Sequence, residues 1–576
     1  MNTTMTWLFN VLVRNRTRFE YTWTQVSLII AVYLVFVLNA ISLWRNTSWH
    51  SMVSVLVALC AMIGLTAGVF VLLRLSNLFG LIFYKLFASF VLLSSAAASF
   101  YMVMHNVVIG YGVIASVLTT DTDLHGEQFG WRFVLWMLVF GVLPVLWLWR
   151  VRVLSTKTMR QRVQNWGVSL VIAIVCALGA FKYMDFIERK AAIATNTFAP
   201  SPSGRIAHSY VPSNWLTAVG LFAYEKSYAQ NTTLFDPATA FQYQLPDLSD
   251  TYVVFIIGET TRSDHMGIFG YERDTTPKLQ RESNLIALRA VSCDTATKLS
   301  LNCMFVRPQG VSDNEQRTVH EKNVFSVLRS LGLSSELFAL QSEAWFYRST
   351  QPNNFMIREM ITAQLQNTGQ RIDDSVFVPL IKQSIEQHPK GKHLVILHTK
   401  GSHYLYSERY PESFARFKPE CKSADGQCSL ASLINAYDNS VLYIDTVLTD
   451  IFGELRDKKA IVFYSSDHGE SLSENMHFHA TPRARAPSEQ FRVPFMVWMS
   501  DSYIHANVAN EQAFAQLKNL QSQKIIVSHQ NIYDSVLGCL GVKSAQEEAL
   551  NLQNNLCSPK WQANSVLNIN QRIYSN

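Results

Sequence analysis

Tyr252-Val253-Val254-Phe255-Ile256-Ile257-Gly258-Glu259 is an apolar run without a polar interruption that ends on a carboxylate. Its β-branched and aromatic content reads as a strand buried on both faces. Two more runs have the same form. His393–His398 ends on a histidine and is followed by His403, and Ala460–Ser465 leads into Asp467-His468. Strands of this kind, separated by longer helical stretches, predict an α/β fold with a mostly parallel sheet flanked by helices and a ligand crevice beyond the carboxyl ends of the strands. Three strands thus bring carboxylates and imidazoles to one sheet edge, the donor set of a metal-dependent enzyme.

The surrounding sequence extends the pattern. Glu336–Leu340 and Val493–Met499 also have strand character, and Leu430, Ile434, Tyr437, Val441, Ile444, Leu448 and Ile451 recur at the spacing of one long amphipathic helix. The first third is different. Val26–Trp44, Met52–Leu73, Leu78–Val103, Phe133–Trp149 and about Val163–Phe181 are apolar runs, close to the roughly 20 residues that cross a bilayer. For the fifth, a buried core helix is the alternative, and for part of the third a re-entrant segment. Lys85, inside the third, is expected to snorkel to an interface. These patterns divide the 576 residues into a five-span transmembrane domain, 1–183, a membrane-surface connector, 184–250, with a turn cluster at Pro200–Gly204, and a catalytic domain, 251–576.

Basic loops stay in the cytoplasm. Arg14, Arg16 and Arg18 precede the first span, and Arg150, Arg152, Lys157, Arg160 and Arg162 lie between the fourth and fifth, whereas Asp121, Asp123 and Glu127 lie between the third and fourth. An odd number of spans then places the catalytic domain across the membrane from the N-terminus. The net charge of +6 sits visibly in the cytoplasmic loops, so it explains topology and gives no reason to expect nucleic acid. Six of the eight cysteines fall in the exported part. Disulfides are expected there, and six cysteines allow fifteen pairings. Pairing of neighbours, Cys293–Cys303, Cys421–Cys428 and Cys539–Cys557, is the simplest.

Carboxylate oxygen and imidazole nitrogen together suit zinc, and adjacent residues at a strand end, as in Asp467-His468-Gly469-Glu470, can reach one ion. A structural hydrogen bond to the next turn is the alternative for Glu259. A hydroxyl nucleophile has two candidates in Cys293-Asp294-Thr295-Ala296-Thr297-Lys298, just ahead of an expected helix. Amide donors there favour phosphate, and a metal lowers a hydroxyl's pKa. The competing role for either threonine is an N-cap. His398, His403, His477 and His479 crowd the same strand ends, suited to a second metal, a phosphoryl oxygen or a leaving alkoxide.

Gly258-Glu259-Thr260-Thr261-Arg262, the run Gly270–Pro277, Cys293 to Cys303, and Ser466-Asp467-His468-Gly469-Glu470-Ser471 resemble the lipid A phosphoethanolamine transferases of Gram-negative inner membranes, whose catalytic domain belongs to the alkaline phosphatase and sulfatase superfamily. The resemblance implies zinc held by Glu259, Thr297, Asp467 and His468, with Thr297 preferred over Thr295 as nucleophile, and with room for a second divalent cation. It implies catalytic roles for His403 and His479. Thr120 matches a substrate-binding threonine, and His398, Lys400 and His477 are further substrate-binding candidates. Cys-Asp-Thr at 293–295 and the loop His398-Thr399-Lys400-Gly401-Ser402-His403 depart from the commonest pattern and look like the branch acting on the Kdo sugar of Kdo2-lipid A.

By that resemblance the expected reaction moves phosphoethanolamine from phosphatidylethanolamine to lipopolysaccharide through a phosphoethanolamine-threonine intermediate. The chain is expected to be a monomer among membrane lipids, with its catalytic domain in the periplasm. A lipid A phosphate or core heptose as acceptor, a phosphoglycerol transferase or phospholipid hydrolase, and a non-catalytic membrane sensor are the alternatives.

Overall fold

The computed structural model describes residues 19–119, 130–154, 159–195, 208–245, 247–365, 371–423, 428–473, 476–483 and 485–563. Thr120, the acids of the 121–129 loop, the arginines before residue 19, Lys157 and the turn cluster at Pro200–Gly204 lie outside them. Two compact units emerge, Met1–Met104 with Gly130–Leu216, and His105–Phe129 with Thr217–Asn576.

Among the described residues, the first unit contains four helices long and apolar enough to span a membrane: Met52–Phe79, Leu81–Met104, Trp131–Arg150 and Val163–Ile187. A fifth span is made if Trp23–Val37 and Ala40–Asn46, which meet at 47°, count as one. The bend has an identifiable cause, a polar side chain inserted into the helical ladder. The buried amide of Asn39 donates to the carbonyls of Leu34 (3.1 Å), Val35 (3.1 Å) and Val211 (2.8 Å), and its oxygen accepts from Val211 N–H (2.8 Å). The polar atoms of the Asn39 side chain are thereby satisfied within the protein, as an apolar bilayer core requires. Lys85 departs from expectation: it is buried, and its ammonium donates to the carbonyls of Val151 (3.0 Å) and Trp149 (3.4 Å). Carbonyls freed at a helix C-terminus bind a cation well, so no snorkelling is needed.

The second unit is built on an eight-stranded sheet: β1 Thr251–Gly258, β2 Leu285–Val291, β3 Ser334–Ala339, β4 Asn354–Met356, β5 Lys392–His398, β6 Lys459–Ser466, β7 Arg492–Met499 and β8 Ile526–Ser528. The order is β8-β2-β7-β6-β1-β5-β3-β4, and β7 alone runs antiparallel to its two neighbours. β1 lies centrally, parallel to β5 and β6, and every one of its residues is buried. Period-two alternation sends Val253, Phe255 and Ile257 into one core, where Phe255 meets Phe305 at 4.9 Å between ring centres. Tyr252, Val254 and Ile256 enter the core on the other face. Each such side chain contributes about 1.5–3 kcal/mol on burial.

Five helices matter for the site: α1 Tyr111–Thr119, α2 Ser213–Asn231, α3 Thr297–Met304, α4 Phe377–Gln387 and α5 Leu430–Leu455. Helix α5 lays Val441, Val447, Leu448, Ile451 and Phe452 against the second core, the apolar stripe visible in its sequence. Disulfides join Cys293 to Cys303, Cys421 to Cys428 and Cys539 to Cys557.

Candidate metal centre

Parallel pairing puts the ends of β1 and β6 side by side, with Gly258 opposite Ser466. The next residue on each strand is therefore an acid at the same edge, Glu259 on one and Asp467 on the other. Asp467 N–H continues the ladder to Gly258 O (2.9 Å), and Thr260 N–H donates back to Asp467 Oδ1 (3.2 Å). The β5 end closes over Glu259: Ser402 N–H donates to its carbonyl (2.9 Å). Gly401 crosses that backbone at φ +49°, so closely that a Cβ would collide with it. A side chain at 401 would push the loop off Glu259.

Thr297 begins α3, and its hydroxyl lies 3.2 Å from Glu259 Oε2 and 3.3 Å from His468 Nε2. His468 Nε2 is also 3.4 Å from Glu259 Oε1 and 3.4 Å from Asp467 Oδ2. These separations exceed those of ordinary charge-assisted hydrogen bonds. They match the edge of a tetrahedron with zinc-length bonds of about 2.05 Å, roughly 3.3 Å. Asp467 Oδ2 is buried and accepts no hydrogen bond, a cost relieved by a cation. His468 Nδ1 sits 2.9 Å from Gly469 O. A carbonyl only accepts, so the proton is on Nδ1 and Nε2 presents a lone pair to the cluster. Donor chemistry, spacing and the orphaned oxygen all fit a zinc ion held by Glu259, Thr297, Asp467 and His468.

The neighbouring hydroxyl, Thr295, is turned away and donates to Thr481 O (2.6 Å). Asp294 anchors the same loop, accepting from Arg317 Nε (2.9 Å) and pairing with Arg483 Nε (3.0 Å). His529 completes the anchoring: Cys293 N–H donates to its Nδ1 (3.3 Å), and its Nε2 donates to Ser466 O (3.0 Å).

Glu259, His403 and His479 form a second convergent donor group. His403 Nδ1 donates to Tyr404 O (2.8 Å), and His479 Nδ1 faces Glu470 Oε2 (3.3 Å). The His479 ring lies 4.3 Å from that of His468 and 5.8 Å from that of His403. His398 joins neither group. It is buried with Nδ1 2.9 Å from Tyr347 OH. Lys400 N–H donates to Asp374 Oδ1 (2.7 Å). His477 lies in the strand Met476–Phe478, and its side chain is outside the described residues.

Burial dominates the electrostatics. It pushes the Glu259 carboxyl well above its ordinary range, with the Asp467 charge adding to the rise. It raises Glu470 to about 8 and lowers His479 to about 4. His403 is held well below its usual value by burial and then by His479. Burial therefore keeps the imidazoles of His403 and His479 neutral, with a ring nitrogen lone pair free to meet a cation or a donor proton.

Three contributors were not singled out from sequence. Gln341, just past β3, donates to Glu259 Oε2 (3.1 Å). Lys298, next to Thr297, pairs with Glu225 of α2 (3.2 Å) and lies over the rings of Phe222 (4.7 Å), Tyr111 (5.7 Å) and Trp345 (5.8 Å). Glu343 is buried beside that cation, raised to about 7 by burial, and accepts from Trp345 Nε1 (3.1 Å). Gln341 follows a strand of the same class as β1, β5 and β6, and that position was its one visible mark.

Comparison with known proteins fits this geometry. The Sulfatase family profile matches residues 251–542, and that of phosphoethanolamine transferase EptA/EptB matches residues 65–214. The chain belongs to the phosphoethanolamine transferases and is an enzyme of that class. It is 49% identical over 552 residues to the Kdo(2)-lipid A phosphoethanolamine 7''-transferase of Escherichia coli (strain K12), covering 93% of this chain and 97% of that one. The Salmonella typhimurium enzyme of the same name is 48% identical, with the same coverage. Among solved structures, the integral membrane protein lipooligosaccharide phosphoethanolamine transferase A from Neisseria meningitidis shares the fold. It superposes with a TM-score of 0.79 over 93% of this chain and 98% of that one, at 24% identity. The protein is thus an integral membrane enzyme of the bacterial inner membrane with a periplasmic sulfatase-like part.

Proposed function

We propose that this enzyme transfers phosphoethanolamine from phosphatidylethanolamine to the Kdo sugar of Kdo2-lipid A, by way of a phosphoethanolamine ester on Thr297. The observation that carries the reading is the Thr297 hydroxyl at one corner of the tetrahedron completed by Glu259, Asp467 and His468. Names and near full-length identity of the relatives support the donor group and the acceptor. Zinc, when bound, offsets charge on the phosphoryl oxygens and lowers the pKa of the Thr297 hydroxyl.

In the first step Thr297 Oγ1 bonds to the phosphorus, and the bond from phosphorus to the diacylglycerol oxygen breaks. The hydroxyl proton passes to a neutral imidazole, His403 or His479, and returns to the departing diacylglycerol oxygen. In the second step an acceptor hydroxyl attacks the phosphorus, gives its proton to the same imidazoles, and Thr297 regains one as its ester bond breaks. Glu470 holds His479 in register, and Gln341 holds Glu259. The Asp294, Arg317 and His529 contacts fix the loop so that Thr297 is poised before substrate arrives.

The catalytic reading assigns 251–576 to chemistry, 184–250 to a connector and 1–183 to the membrane, with the protein acting as a monomer. The test is mass spectrometry of lipopolysaccharide from cells with and without this chain. A phosphoethanolamine fragment on Kdo is expected. The group on a lipid A phosphate or heptose contradicts the acceptor, and free phosphoethanolamine alone contradicts transfer.

A further inference from the structure

At the opposite end of the strands, a second donor group stands apart from the centre described above. Glu336 on β3, His393 on β5 and His388 at the C-terminus of α4 offer ligand atoms within 4.8 Å of one another. His393 and His398 are five residues apart on one strand, which places this group about 16 Å from the Thr297 edge.

Ser334 Oγ donates to Lys392 O (3.2 Å) and lies 2.7 Å from His393 Nδ1; in the tautomer that keeps this donation, it accepts the Nδ1 proton. In that tautomer a neutral His393 has a lone pair on Nε2. That nitrogen faces Glu336 Oε2 at 3.3 Å and Ser384 Oγ at 2.9 Å. The single Ser384 hydrogen goes to Glu336 Oε2 (2.5 Å). With the proton on Nδ1, the lone pairs of Nε2 and Oε2 face each other in a buried place, and a cation between them satisfies both. His388 brings a further nitrogen, with Nε2 3.6 Å from Glu336 Oε1 and its ring stacked on His393 at 4.0 Å. The separations of 3.3 and 3.6 Å again approach the tetrahedral edge of roughly 3.3 Å.

The geometry points to a second divalent-metal site, Glu336–His388–His393, selective for zinc-like ions and independent of the catalytic centre. Two imidazoles and a carboxylate are a zinc donor set. Ser334 orients one ligand and Asn354 Nδ2 another, through Glu336 Oε1 (3.2 Å). His388 is 34% exposed at its side chain while its two partners are buried, so an ion reaches the site from solvent on that side. A bound ion would clip the end of α4 to strands β3 and β5.

The experiment uses the full chain in detergent, dialysed against buffered zinc, with metal per protein measured by inductively coupled plasma mass spectrometry. The variants are His388→Ala, the double variant Glu259→Gln with Asp467→Asn, and all three changes together. His388→Ala leaves the buried Glu336–His393 contact in place and should fold. It should bind one zinc fewer than wild type, the double variant should keep that zinc, and the triple variant should lose it. Cobalt substituted into the double variant should show the visible absorption of a four-coordinate site, absent after His388→Ala. Equal zinc in wild type and His388→Ala overturns the proposal and makes the contact a proton-bridged ion pair. Equal zinc in wild type and the double variant would instead strike the catalytic centre and leave this comparison standing.

Discussion

Thr297 Oγ1 donates to Glu259 Oε2 across 3.2 Å, joining the first turn of a helix to the residue after the central strand. That contact makes the hydroxyl part of the same cluster as Asp467 and His468. Asp467→Asn keeps the shape of the residue and removes its charge, so it should lose bound zinc and lower transfer at least about a hundredfold. A strong chelator should do the same to wild type, and both should lower Tm, since metal binding adds to folding free energy. Zinc content, activity and thermal unfolding on the same samples check this. Full activity in a zinc-free preparation would contradict it.

Gln341 Nε2 donates to Glu259 Oε2 (3.1 Å) and so holds the carboxylate in its ligating rotamer. Gln341→Leu should cost about 10–100-fold in zinc affinity or activity, the usual effect of removing a ligand's support. Zinc titration of the purified variant measures it, and unchanged affinity would make the contact incidental.

Lys298 and Glu225 are a nearly buried pair, with Tyr111 OH also donating to Glu225. Lys298→Met leaves that acid without its cation and should lower stability by about 3 kcal/mol, a Tm loss of roughly 5 °C. Glu225→Gln added to it should recover most of the loss. A double-mutant cycle by thermal unfolding reads the coupling, and additive effects would contradict it.

Much of this was legible in sequence for a physical reason. Parallel strands buried on both faces are continuous apolar runs, so β1, β5 and β6 announce themselves, and so do the residues that follow them. Asn39 was one polar residue, with Ser27 and Ser42, in an otherwise apolar run, and the span bends at it. Strand alternation sends His398 to Tyr347, a direction that its place at a strand end does not disclose. Lys298 and Glu225 lie 73 residues apart, and no local pattern connects them. Thr295 and Thr297 are equivalent by spacing, and only the fold shows that one hydroxyl goes to Thr481 O and the other to the cluster.

His529 supplies a pH dependence. Burial lowers its pKa from 6.5 to about 3, with the His468 charge adding to the fall. The unfolded chain therefore takes up a proton between those values and the native state does not. The contribution is present in full above pH 6.5 and is lost as pH falls toward 3, at up to about 1.4 kcal/mol per unit. His529→Gln should be less stable than wild type at pH 7, with the gap narrowing by pH 5. A gap that stays constant or widens on acidification, followed by thermal unfolding, would contradict this.

The most direct test of the central claim is to mix the enzyme with phosphatidylethanolamine in the absence of acceptor, quench in acid, and sequence the peptides by mass spectrometry. The account predicts one phosphoethanolamine group on the hydroxyl of Thr297, absent from Thr297→Ala, which should keep its fold while losing transfer by on the order of a thousandfold or more. A modified Thr295 or histidine, or full transfer by Thr297→Ala, would contradict it.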